Sequence, residues 1–123
     1  MLTNFEDITE DLTTLELQLA PEIRLMFMRF MQPGVVVKQK KLCQHINMAL
    51  REKYALFNKL MMTEVRLRKY FNYFRSNGLL PIIATSEGCS ISYDQTIISK
   101  QVKSLEQRSR STMKAAEGMR RFL

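Results

Sequence analysis

The sequence predicts a mainly α fold with one small β-hairpin, and three observations carry that reading. Apolar residues recur at helical spacing in successive stretches before Asn77-Gly78. Across that dipeptide the apolar pattern changes from the helical period to the alternation of short strands. From Asp94 a helical pattern returns and continues to Leu123.

Residues 1–12 are acidic and only weakly periodic, so they read as an N-terminal arm. Thr13 and Glu16 have the spacing of a capping box: the hydroxyl accepts the Glu16 N–H and the carboxylate returns to the Thr13 amide. Leu15, Leu19, Ile23, Met26, Phe27 and Phe30 then follow one helix to about Met31. Pro21 lies inside that run and predicts a kink or interruption, because its ring removes a backbone hydrogen bond. Pro33-Gly34 ends the helix. Val35 to Lys38 is β-branched and predicts a small strand or an extended lead-in. Gln39 to about Lys53 predicts a second helix with Leu42, Ile46, Ala49 and Leu50 inward. Tyr54 to Met62 is ambiguous between a loop and a helical turn, with Tyr54, Leu56, Phe57 and Leu60 packing beneath it.

Thr63 is a good N-cap for a third helix, and Asn77-Gly78 is an αL-type stop. Leu67, Tyr70, Phe71 and Phe74 share one face of that helix. Leu80 to Thr85 and Cys89 to Tyr93 pair as an antiparallel ribbon across Ser86-Glu87-Gly88, with Gly88 at a positive φ. Pro81 cannot donate to a ladder and belongs at a strand start or edge. Three helices followed by a hairpin are the order of a winged helix-turn-helix. Asp94 caps a long last helix, on which Ile98, Val102, Leu105, Ser109, Thr112, Ala116, Met119 and Leu123 form a heptad seam. The polar middle of the seam makes it a weak coiled coil. Ile98, Val102 and Leu105 either dimerise the protein or lie on their own domain. The chain divides into the arm (1–12), a winged-helix domain (13–93) and the C-terminal helix (94–123).

Hydrophobic content of 46% with 25% charged residues is ordinary for a folded chain, so disorder is not the default. No apolar run approaches a membrane span, and the acidic N-terminus is unlike a signal peptide, which predicts a protein of the cytoplasm where it is made. The formal charge of +7 hides an asymmetry. Residues 1–23 hold six acids and no Lys or Arg, so the remaining 100 residues carry a net +13. Such a balance attracts polyanions, nucleic acid foremost. The seam of the last helix is too poor in Trp, Phe and Leu to make an interfacial membrane helix.

No constellation for chemistry is legible: no Ser-His-Asp set, no carboxylate pair around a histidine and no phosphate loop. Catalysis, a small-molecule substrate and a cofactor are therefore not expected. Cys43 and Cys89 lack metal-binding spacing and His45 is the only histidine, so buried free thiols and a helix-surface histidine are expected instead of a metal site.

"VRLRKYFNYFRSNGLLPIIATSEG", residues 65–88, resembles the core of small winged-helix DNA-binding proteins of phages and mobile genetic elements. Val65-Arg66, Tyr73, Arg75, Asn77-Gly78-Leu79-Leu80-Pro81 and Ile83-Ala84-Thr85-Ser86 with Gly88 match that family's pattern. "LTTLELQLAPEI", residues 12–23, is similar to its first helix. Two positions depart: Glu87 stands where the wing tip usually offers Lys or Arg, and Cys89 replaces an aromatic. The resemblance implies non-enzymatic binding of double-stranded DNA, as a regulator in a bacterial host cell. The alternative is a protein-interaction or structural module of a phage assembly, carried in a virion.

For DNA binding the third helix enters the major groove. Arg66, Lys69, Asn72 and Tyr73 are expected to be exposed as groove and phosphate contacts, and Arg68 and Arg75 to lie at its flanks. Lys38, Lys40 and Lys41 are expected to anchor the backbone, with Lys100, Lys103, Arg108 and Arg110 extending the footprint. A homodimer would form through Ile98, Val102 and Leu105.

Overall fold

A computed structural model describes residues 10–53 and 61–123; most of the acidic arm and the Tyr54-to-Leu60 expectation lie outside them. The elements run α1 (Thr14–Phe30), α2 (Gln39–Lys53), α3 (Glu64–Ser76), β1 (Ile82–Thr85), β2 (Gly88–Ile91) and α4 (Gln95–Arg120). The fold is mainly α with one small antiparallel hairpin.

Local signals fix most boundaries. Thr13 Oγ1 accepts the Glu16 N–H at 3.3 Å and Glu16 Oε1 accepts the Thr13 N–H at 2.8 Å, closing the capping box of α1. The helix is not interrupted at Pro21; it continues through the ring to Phe30. Pro21 is exposed, and the helix around it is anchored by Leu19, Ala20, Ile23 and Phe27 in the core. Tertiary packing outweighs the lost backbone bond there. Thr63 caps α3 through the Arg66 N–H, and Gly78 at φ +64 ends it in the left-handed region, where a Cβ is disfavoured. Asp94 Oδ1 accepts the Thr96 and Ile97 N–H groups to start α4.

The core is one cluster. Phe27 of α1 meets Phe71 and Phe74 of α3 edge-on, with ring centroids at 5.4 and 5.5 Å. Leu42, Ile46 and Leu50 of α2 fill the third side, and Leu80, Ile82, Cys89 and Ile91 close it from the hairpin. Each large apolar side chain so buried stabilises the fold by about 1.5–3 kcal/mol. Asn47 clamps the approach to α3, accepting the Met62 N–H at 2.6 Å and donating to its carbonyl at 3.0 Å.

In the hairpin, Ile82 pairs with Ile91 and Thr85 with Gly88, leaving a two-residue turn at Ser86-Glu87. Gly88 is thus a paired strand residue, not part of the loop as its sequence context suggests. The β-branched run before α2 contributes one bridge: Val37 and Cys89 exchange backbone hydrogen bonds of 2.8 Å each. Pro81 sits just ahead of β1, with its carbonyl accepting the Ser92 N–H at 3.2 Å.

The first part of α4 returns across β1, where Gln101 Oε1 accepts the Ala84 N–H at 3.2 Å. From Val102 to Glu117 every residue is exposed. No described helix is long and apolar enough to cross a membrane.

Candidate nucleic-acid interface

Helix α3 has a buried stripe and two polar flanks, and the flanks do different things. On the flank facing α1 lie Arg66 and Lys69. Both bind Glu16, the one buried charged residue among the described residues. Arg66 Nε donates to Glu16 Oε2 and Lys69 Nζ to Glu16 Oε1, each at 2.6 Å. The Tyr70 hydroxyl donates to the Glu16 carbonyl oxygen at 2.7 Å. Burial by itself would raise the Glu16 pKa. The donors from Lys69, the Thr13 amide and Arg66 outweigh it and hold the carboxyl at about 2.

This overturns the expectation that Arg66 and Lys69 stand exposed. Their side chains are only 28% and 12% accessible and belong to a charge cluster that joins α3 to α1. Sequence reading saw Glu16 only as a capping-box residue. Nothing local shows that its carboxylate also serves another helix. Tyr73 is also half-buried, edge-on to Phe74 at 5.6 Å.

The other flank carries Arg68, Asn72 and Arg75. These face a groove of about 700 Å³ whose far wall is α4, with Lys100, Gln101, Ser104 and Arg108, and whose end is the hairpin tip at Thr85 and Ser86. Among the described residues, four cationic side chains line it and no carboxylate does. Arg68 therefore looks onto the groove, and Asn72 is the exposed polar residue at its rim. Arg75 is not a surface flank residue. Its Nε donates to the Ile82 carbonyl at 3.0 Å, and its Nη2 is buried without a hydrogen-bond partner among the described residues. Burial, and then the charge of Arg108, push the Arg75 pKa down.

Lys38, Lys40 and Lys41 are exposed at the start of α2, and the neighbouring Gln39 reaches the groove. Ile98, Val102 and Leu105 line a second, apolar groove of about 310 Å³ against Leu80, Pro81, Ile82 and Ile83. They line it from the α4 side, and Val102 and Leu105 remain 48% and 36% exposed.

Cys43 and Cys89 are buried free thiols, and burial raises each to a pKa of about 11. The Cys89 Sγ lies 3.2 Å from the Val37 carbonyl oxygen. Neither thiol should react with iodoacetamide at neutral pH in the folded protein, while both should react in denaturant. Mass spectrometry checks this; rapid labelling of the native protein would contradict it. His45 stacks on Phe30 with centroids at 5.3 Å.

No family model, curated protein or solved structure matches the chain.

Proposed function

We propose that the protein is a non-enzymatic double-stranded DNA-binding regulator of the winged-helix type, which presents α3 to the major groove. The observation that carries this reading is the convergence of Arg68, Arg75, Lys100 and Arg108 on one groove that no carboxylate of the described residues lines, beside the exposed Asn72. Arginine and lysine supply phosphate contacts, and asparagine is suited to the edge of adenine. The contact set differs from that read from sequence. Arg68 and Asn72 replace Arg66 and Lys69 as the α3 contacts, and the lysines at the start of α2 remain backbone anchors. The turn residue Glu87 is exposed and negative, so the hairpin braces the helix and its tip adds little attraction.

Arg68→Ala with Asn72→Ala should weaken duplex binding by about 1–3 kcal/mol per lost contact and leave the circular dichroism unchanged. Glu87→Lys should strengthen binding by removing a like charge near phosphate. Anisotropy titrations at two salt concentrations check both. A parent protein that binds duplex without salt dependence, or not at all, would favour a protein-interaction module in a phage assembly.

A further inference from the structure

We propose that the groove between α3 and α4 is a cleft for a single phosphodiester strand, which makes α4 part of the nucleic-acid surface. This rests on the duplex-binding reading and adds what the groove holds. A B-form major groove is about 12 Å wide. One helix with its side chains is about 10–12 Å across. With α3 in the groove, α4 cannot enter it too, and the space between the two helices is where a bordering backbone strand would run.

The side chains there suit that occupant. Arg68 and Arg75 are seven residues apart on α3, about 10 Å along its axis, and Lys100 and Arg108 are eight apart on α4, about 12 Å. A strand advances about 3.4 Å along the duplex axis per phosphate. Because the strand also winds about that axis, its phosphates stand farther apart along its own path. The two walls offer cation pairs of matching length, each able to meet two neighbouring phosphates. Arg75 lines the cleft, and its Nη2 has no hydrogen-bond partner among the described residues. The Arg75 guanidinium, held by one bond to the Ile82 carbonyl, lies among other cations, and an anionic oxygen in the cleft would offset that repulsion.

The test uses the full chain and compares Lys100→Ala/Arg108→Ala with Lys114→Ala/Arg120→Ala. The second pair removes equal charge from the exposed end of the same helix, outside the groove. With a labelled mixed-sequence duplex, the groove pair should lose about tenfold in affinity and flatten the salt slope by about two, while the distal pair stays near the parent. Equal loss in both, or parent-like binding by the groove pair, would overturn the cleft. A second readout is the rise in Tm caused by inorganic pyrophosphate. Should the parent bind no duplex, the regulator reading falls, and this readout decides the cleft alone. A rise present in the parent and lost in the groove pair supports it, and no rise in the parent refutes it.

Discussion

Replacing Glu16 by Ala is expected to lower stability by about 3–5 kcal/mol, a large share of the total for a domain of this size. The reason is what the change strands. Lys69 is nearly buried and Arg66 is about three-quarters buried, and both point at the carboxylate from 2.6 Å. Without it, the nearly buried Lys69 loses the carboxylate it points at, Arg66 loses one of its partners, and the α1 capping box loses its return bond from Thr13. Glu16→Gln keeps that bond and the volume, so it should cost less than Ala while still losing the charge pairing. Urea denaturation checks the order; an Ala variant within about 1 kcal/mol of the parent would show that the cluster stabilises nothing. The same geometry governs how binding data are to be read. Lys69→Ala and Arg66→Ala should both destabilise the fold, Lys69 more because it is less exposed. Weaker DNA binding by either variant is then no sign of a lost DNA contact.

The cluster also sets a pH dependence. The folded pKa of Glu16 is about 2, below its ordinary value of 4.5. A depressed carboxyl contributes stability that is fully present above about pH 4.5 and is lost as pH falls toward 2. The gap in Tm between the parent and Glu16→Gln should therefore be wide at neutral pH and narrow steadily below about pH 4.5. A gap that stays constant down to pH 3 would contradict this.

Local chemistry made most of the fold legible. Thr13 with Glu16, Thr63, Asn77-Gly78 and Asp94 each act within a few residues of where they stand, and the boundaries they imply are those observed. The apolar stripe of α3 reads directly as its buried face, because periodicity alone determines it. What could not be read depends on contacts across long separations. Glu16 meets Lys69 over 53 residues, and only the packing of α1 on α3 shows that the basic helix is neutralised along one flank. The direction of α4 is equally non-local. Its return across β1, tied by Gln101, brings Lys100 and Arg108 to the groove that Arg68 and Arg75 line, whereas the sequence marks them only as an extension of the basic footprint, with no partner on α3. Pro21 failed as a helix breaker for the same reason, since the side chains around it are held by the core.

Gly88→Ala should be the most damaging change in the hairpin, at roughly 3 kcal/mol. Its φ of +144 lies where L side chains are strained. An added Cβ would stand 2.6 Å from the Val37 carbonyl oxygen and 2.9 Å from its carbonyl carbon. Those are backbone atoms, which cannot rotate aside as a side chain would. The Val37 segment would have to leave the hairpin, and with it the two 2.8 Å hydrogen bonds that it exchanges with Cys89. Backbone strain of about 1–3 kcal/mol and about 1 kcal/mol for each hydrogen bond lost set the magnitude. Gly78 provides the control. It also has a positive φ, of +64, but nothing lies within 4 Å of the position a Cβ would take. Gly78→Ala should cost only the left-handed penalty of about 1–2 kcal/mol, and Gly78→Asn less, because Asn tolerates that region. Thermal melts of the three variants measure the difference, and hydrogen exchange at the Val37 and Cys89 amides locates it. Protection of those two amides should fall in Gly88→Ala and persist in Gly78→Ala. Equal protection in both would mean that the close approach to Val37 is relieved without opening the hairpin.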